Sequence, residues 1–147
     1  MSHETAFATI QKGIDTTTDG DTVIVSPGQY LEVDQAGYDY INFSGTNITF
    51  TSIDPTDPSI VENTIIGGAV FVEGTEDANS MLTGFAIRHL LYGTISGNGT
   101  HATISYCIIS GNGPCQATVI RNCDGTISNC LITDNTTFAL CGIFPAV

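Results

Sequence analysis

The sequence predicts a single all-β domain wound as a parallel β-helix, a solenoid of about five coils with an N-terminal capping α-helix. Three observations predict it. Two ten-residue segments repeat late in the chain. Short apolar runs elsewhere are separated by glycine, proline, serine, threonine and asparagine. Helical spacing occurs only near the start. The 147 residues are 41% hydrophobic and only 12% charged, with 16 glycines and 5 prolines. That is the size of one domain, 1–147, and too apolar for a disordered chain.

The first element is the helix, expected within 4–18. Phe7, Ile10 and Ile14 are spaced by three and four, which places them on one helical face. Thr16-Thr-Thr-Asp-Gly20 stops it. Such a helix would cover the open end of a solenoid, whose first coil otherwise exposes core and unpaired backbone. The coils then occupy 20–134. Thr22–Val25 is a strand, opened by Gly20-Asp21 and closed by Pro27-Gly28. Tyr40–Phe43, Ile48–Ile53, Ile60–Ile66 and Ala69–Val72 are further strand candidates, with Asp54-Pro-Thr-Asp-Pro58 a loop among them.

The repeat is clearest in the last third. Thr103-Ile-Ser-Tyr-Cys-Ile-Ile-Ser-Gly-Asn112 aligns with Thr126-Ile-Ser-Asn-Cys-Leu-Ile-Thr-Asp-Asn135 at an offset of 23 residues. Upstream, Leu82, Phe85 and Ile87 match Ile104, Cys107 and Ile109 at an offset of 22. Each segment spaces its apolar residues by three and then two. The spacing of two is strand alternation, and the spacing of three is a corner between strands. Adjacent coils hydrogen-bond about 4.8 Å apart, so equivalent residues stack. Ile104 then lies on Ile127, Cys107 on Cys130 and Ile109 on Ile132, all pointing inward. Asn112 over Asn135 forms an amide ladder that satisfies turn backbone. The segment 135–147 is apolar after Asp134, the last charged residue, and brings no second capping helix.

Charge excludes several functions. Fifteen acids face three bases, Lys12, Arg88 and Arg121, for a net charge of −12. Nothing is available to neutralise nucleic-acid phosphates, and an anionic membrane surface is disfavoured. No run reaches the ~18 apolar residues of a membrane-spanning helix. The start lacks the basic and apolar parts of a signal peptide. The cysteines are Cys107, Cys115, Cys123, Cys130 and Cys141, with no CxxC pair to suggest zinc. Cys107 and Cys130 read as stacked core thiols, with a bridge between adjacent coils geometrically open. Asp15, Asp19 and Asp21 raise calcium, but Asp19-Gly-Asp21 is explained by turn chemistry. The pattern calls for no cofactor and no metal. Sequons at Asn42, Asn47, Asn98 and Asn135 matter only in a secretory setting. Thr49-Phe-Thr51 is the one clean Thr-x-Thr unit, so an ice-binding hydroxyl face is not expected.

Thr9-Ile-Gln-Lys-Gly-Ile-Asp15 followed by Asp19-Gly-Asp-Thr-Val-Ile-Val-Ser-Pro-Gly-Gln-Tyr30 resembles the entry into the pectin-lyase-like superfamily. Leu82-Thr-Gly-Phe-Ala-Ile87 and the two Ile-Ser-x-Cys coils resemble it too. The resemblance implies a right-handed helix, an entry helix that caps the barrel, and an extracellular or cell-surface setting. Enzymes of that family cut acidic polysaccharides, using basic residues with calcium or clustered aspartates. With three bases and a strongly negative charge, this chain would repel a polyuronate. The best constellation for a sugar is Arg88, His89, Tyr92 and Asp134, with Asp134 in the column of His89 two coils on. The simpler reading of that column is a solvated surface, as it is for Arg121.

The expected function is a non-catalytic structural or adhesive module. It self-associates through its uncapped C-terminal end, by Phe138, Leu140, Cys141, Ile143 and Phe144. One sticky end favours a closed two-fold homodimer. The alternatives are a polysaccharide-binding or polysaccharide-degrading domain, or a fragment of a longer solenoid.

Overall fold

Runs of two to six extended residues, separated by corners, are too short to stand as hairpins and are paired coil upon coil instead. The computed structural model describes residues 6–31, 40–72, 74–88, 95–112 and 119–136. The elements are α1 (Ile10–Ile14), β1 (Thr22–Val25), β2 (Gly28–Tyr30), β3 (Tyr40–Asn42), β4 (Thr49–Ser52), α2 (Pro58–Asn63), β5 (Thr64–Ile66) and β6 (Ala69–Val72). They continue with β7 (Met81–Thr83), β8 (Ala86–Ile87), β9 (Ile95–Thr100), β10 (Thr103–Ser105), β11 (Ile108–Ser110), β12 (Ile120–Cys123), β13 (Ile127–Ser128) and β14 (Leu131–Thr133). The strands form three parallel sheets, ordered β1-β4-β7-β10-β13, β2-β5-β8-β11-β14 and β3-β6-β9-β12. The chain is an all-β parallel solenoid.

It makes about four turns rather than the five expected. Two sheets carry five strands and the third carries four, so the last coil passes through only two sheets among the described residues. Register also explains why the first half looks irregular in sequence. Thr22 pairs with Thr49, an offset of 27, and Thr49 with Met81, an offset of 32. Later coils shorten: Met81 pairs with Thr103 and Ile104 with Ile127, offsets of 22 and 23. The longest coil contains α2. Ile60–Ile66 is therefore not one strand, because Asp57 caps a helix and Pro58 opens it. The Asp57 carboxylate accepts the Ser59 N–H at 2.8 Å. An N-cap followed by a pre-set proline outweighs the β-branched composition behind it.

Each sheet buries one column of side chains. Phe50, Leu82 and Ile104 line the first, Ile66, Ile87 and Ile109 the second, and Ile41, Val70, Ile95 and Ile120 the third. Phe50 and Phe85 stack at 4.4 Å between ring centroids, and Phe43 meets Phe50 edge-on at 5.8 Å. Corners between the first and second sheets use the left-handed region, at Gly84 (φ 81), Tyr106 (φ 50) and Asn129 (φ 52). This is the spacing of three seen in the sequence. At Gly84 the φ is not the only constraint, since a Cβ there would run into Ser52 Oγ and Pro55.

The cap is shorter than expected. Only Ile10–Ile14 is helical, and Phe7 lies ahead of it, 58% exposed. Thr9 caps the start by accepting the Lys12 N–H at 3.1 Å. The hydroxyls of Thr16 and Thr17 take the carbonyls of Gly13 and Ile14 at 2.8 and 2.6 Å, which ends the helix after a single turn. Ile10 and Ile14 are buried over the first coil, where α1 packs on β1 and β3.

Candidate functional site

The two ends of the solenoid face the same physical problem: a coil with a core on one side and unpaired strand backbone on its edge. At the first end the problem is solved by α1. Gln11 does more than the sequence pattern suggests. Its amide oxygen accepts the Asn42 N–H at 2.8 Å, and its amide nitrogen donates to the Asn42 carbonyl at 2.9 Å. One side chain thus stands in for a neighbouring strand at the edge of β3. Nothing in the spacing of apolar residues marks Gln11 for this; only its place one residue after a buried isoleucine is visible in the sequence.

At the last coil the structure is different. Ile127 and Ile132 occupy the same columns as Ile104 and Ile109, as expected. Yet they are 37% and 42% exposed, against 1% and 0% for their counterparts. Inward-facing residues on a terminal coil stay half solvated unless something stacks on them. Leu131, facing outward, is 56% exposed beside them. The result is an apolar end bordered by the edges of β13 and β14. The residues expected to carry self-association, Phe138, Leu140, Cys141, Ile143 and Phe144, lie outside the described residues.

An amide ladder supports this end. Asn112 Nδ2 donates to Asn135 Oδ1 at 2.7 Å, and Asn135 Nδ2 donates to the Ile109 carbonyl at 2.8 Å. Asn112 is fully buried, and Nδ2 also reaches the Ile87 carbonyl at 3.4 Å. A second ladder, not foreseen from the sequence, runs up the first coils. The Asp19 carboxylate accepts the Asn47 N–H at 2.9 Å, and the Asn47 amide oxygen accepts the Asp77 N–H at 2.8 Å. Its rungs are 28 and 30 residues apart, too irregular to register as a repeat.

Only part of the expected carbohydrate column falls within the described residues. Arg88 is exposed, and its backbone N–H bonds the Ile66 carbonyl at 3.0 Å. Asp134 is exposed two rungs away, with φ 53, in line with Gly111 (φ 67) at the same corner. A left-handed corner explains Asp134 as turn chemistry. His89 and Tyr92 lie outside the described residues. Arg121 is exposed, and its Nε donates to Ser96 Oγ at 2.9 Å on the neighbouring strand.

The acids raised for calcium are engaged in turns. The Thr18 N–H, then its hydroxyl, hold the Asp21 carboxyl below its usual range, with bonds of 2.8 and 3.0 Å. Asp54 is lowered in the same way by the hydroxyl and then the N–H of Thr56. Among the described residues no group of three or more His, Cys, Asp and Glu could hold a metal ion. A shallow hollow beside α1 is lined by Phe7, Ile10, Val23, Ile24 and Tyr30. Two of its hydroxyls are already engaged: Thr9 caps the helix and Tyr30 donates to the Ser26 carbonyl at 2.7 Å.

Cys107 and Cys130 stack on adjacent coils, as the repeat predicts. Each follows a left-handed corner residue, Tyr106 or Asn129. Each donates to the carbonyl two residues back, Ser105 or Ser128, at 3.2 Å. The thiols also act on one another across the two coils. That contact and burial push Cys107 well up, whereas the contact with Cys107 brings Cys130 down to about 7. No protein-family model matches the chain, and no curated protein and no solved structure matches it.

Proposed function

We propose that this chain is a non-catalytic structural or adhesive β-helix module, a short member of the pectin-lyase-like superfamily, that associates with a second copy of itself through its last coil. The observation that carries this reading is the contrast between Ile127 and Ile132, 37% and 42% exposed, and Ile104 and Ile109, at 1% and 0%. A half-solvated core column, next to strand edges that carry no further strand among the described residues, is the surface that another solenoid end covers best. The occupant is a like end, because α1 and Gln11 already occupy the other. A contact between like ends closes as a two-fold dimer and leaves no further sticky surface.

The net charge of −12 opposes any such pairing at long range. Added salt screens that repulsion, with a Debye length of about 8 Å at physiological ionic strength. The dimer therefore tightens as salt rises, the reverse of a contact held by ion pairs. The test is the solution mass by light scattering on a sizing column, with reductant, across salt and protein concentration. A dimer that persists in reductant and dissociates on Ile132→Asp supports the reading. A strict monomer at high concentration and high salt overturns it. Sugar binding by the Arg88 and Asp134 side has weaker support, since the two lie two rungs apart. Glycan-array binding abolished by Arg88→Ala would revive it.

A further inference from the structure

We propose that Cys107 and Cys130 are a thiol–disulfide exchange site of the monomer, before a second copy covers the last coil, in which Cys130 reacts with a small disulfide of the glutathione class and Cys107 resolves the adduct. The product is a cross-link between the last two coils.

The geometry divides the two roles. Cys107 is 1% exposed, beneath the last coil, and no reagent reaches it directly. Cys130 is half-buried, one rung further out, in the same column. Strand register holds them in line: Ser105 pairs with Ser128 before the corner, and Ile108 with Leu131 after it. Residues paired in this way on parallel strands are about 4.8 Å apart, within the Cα separation that a disulfide spans. The stack also runs along the solenoid axis. A leaving group on Cys130 directed away from the body is thus opposite the buried Cys107 sulfur, the alignment that displacement at sulfur requires.

The exchange balances without further reactants. The Cys130 thiolate attacks one sulfur of the small disulfide, the S–S bond of that reagent breaks, and one thiolate leaves. Cys130 is now a mixed disulfide and carries no charge. Cys107 then loses its proton to solvent through the departing thiolate and attacks the Cys130 sulfur. The mixed S–S bond breaks and a second thiol leaves. Two protein thiols are oxidised to one disulfide, and one small disulfide is reduced to two thiols. The contact that lowers Cys130 toward 7 supplies thiolate at neutral pH. In the mixed disulfide Cys130 no longer accepts from Cys107 as a thiolate, which removes the strongest influence holding the Cys107 proton in place.

The cross-link would fasten the coil that is least buried to the one beneath it, joining two cysteines 23 positions apart. A small disulfide thereby stiffens the open end.

The test uses the full chain with Cys115, Cys123 and Cys141 replaced by serine. Trypsin cuts after Arg121, so the two cysteines fall on separate peptides, 89–121 and 122–147. The folded protein is treated with glutathione disulfide, blocked with an alkylating reagent, digested and weighed. The expected result is one species joining the two peptides, separated again by dithiothreitol, with hydrogen exchange slowed over 127–133. Stable glutathione on Cys130 without a cross-link overturns the proposal. So does a cross-link that forms only in urea. The unaltered chain gives an independent reading, because Cys107 and Cys130 must lose alkylation together. In the reduced protein the alkylation rate of Cys130 should rise through an inflection near 7. Cys107→Ala should move that inflection upward and slow the reaction at neutral pH several-fold. An inflection that Cys107→Ala leaves in place also overturns the proposal.

Discussion

The first and last coils share two of the three sheets, but their exposed edges differ. At the first, Ile10 and Ile14 of a one-turn helix lie on the core, and Gln11 bonds both backbone groups of Asn42. At the last, Ile127 and Ile132 stay partly solvated. The difference shows that a solenoid end is closed by two separate means, apolar cover and hydrogen bonds to the edge strand. Stacking one more repeat supplies neither to itself.

The largest test of this contrast compares two isoleucines of one column. Ile109→Ala removes a fully buried side chain and should cost about 2–5 kcal/mol. Ile132→Ala, with 42% of the side chain already in water, should cost the monomer only about 1 kcal/mol. Chemical denaturation at low protein concentration measures both. If the Ile132→Ala cost grows with protein concentration, the end is being covered by a second copy. Equal costs in the monomer would mean that the end is not open.

A smaller effect is expected in the amide ladder. Asn112→Ala strips a buried amide from the Ile87 carbonyl and from Asn135, for about 1–3 kcal/mol. Asn135→Ala should cost less, because Asn135 is half-buried and water can replace it at the Ile109 carbonyl. Thermal melts of the two variants should rank in that order, and the reverse order would place the cover on the wrong side of the ladder.

The smallest change probes the closed end. Thr9→Ala removes the hydroxyl that accepts the Lys12 N–H and should cost about 1 kcal/mol. Because α1 is the cover of the first coil, faster hydrogen exchange should reach Asn42 on the β3 edge and leave the last coil unchanged. Faster exchange at both ends would show that the two coils do not behave independently.

The parts read correctly from the sequence were those where one residue type repeats at a fixed offset. The columns Ile104–Ile127 and Ile109–Ile132 and the Asn112–Asn135 ladder follow from a period of 23, and the corners follow from apolar residues spaced by three. The β-strand expected over Ile60–Ile66 is present only at Thr64–Ile66, because the entry to its β-branched first half, Asp57-Pro58, is a helix start. The Asp19–Asn47–Asp77 ladder leaves no mark in the sequence, because coils of 27 and 32 residues give no fixed period. Asp134 lies at the corner that Gly111 occupies one coil below, and a column does not distinguish a corner carboxylate from a ligand-binding one.

By itself the sequence determined the solenoid, because a repeat with a constant offset allows only one way to stack like on like with every strand paired. It also determined the capping turn, since Thr9 and the threonines after Ile14 act on backbone within a few residues of themselves. Only the tertiary structure decided how the first coil is closed. Whether Gln11 meets Asn42, how far Ile132 stays in water, and whether Cys130 lies over Cys107 with one face outward all depend on residues 23 to 31 positions apart or on a neighbouring coil. Local propensity is silent at that range, and packing sets the outcome.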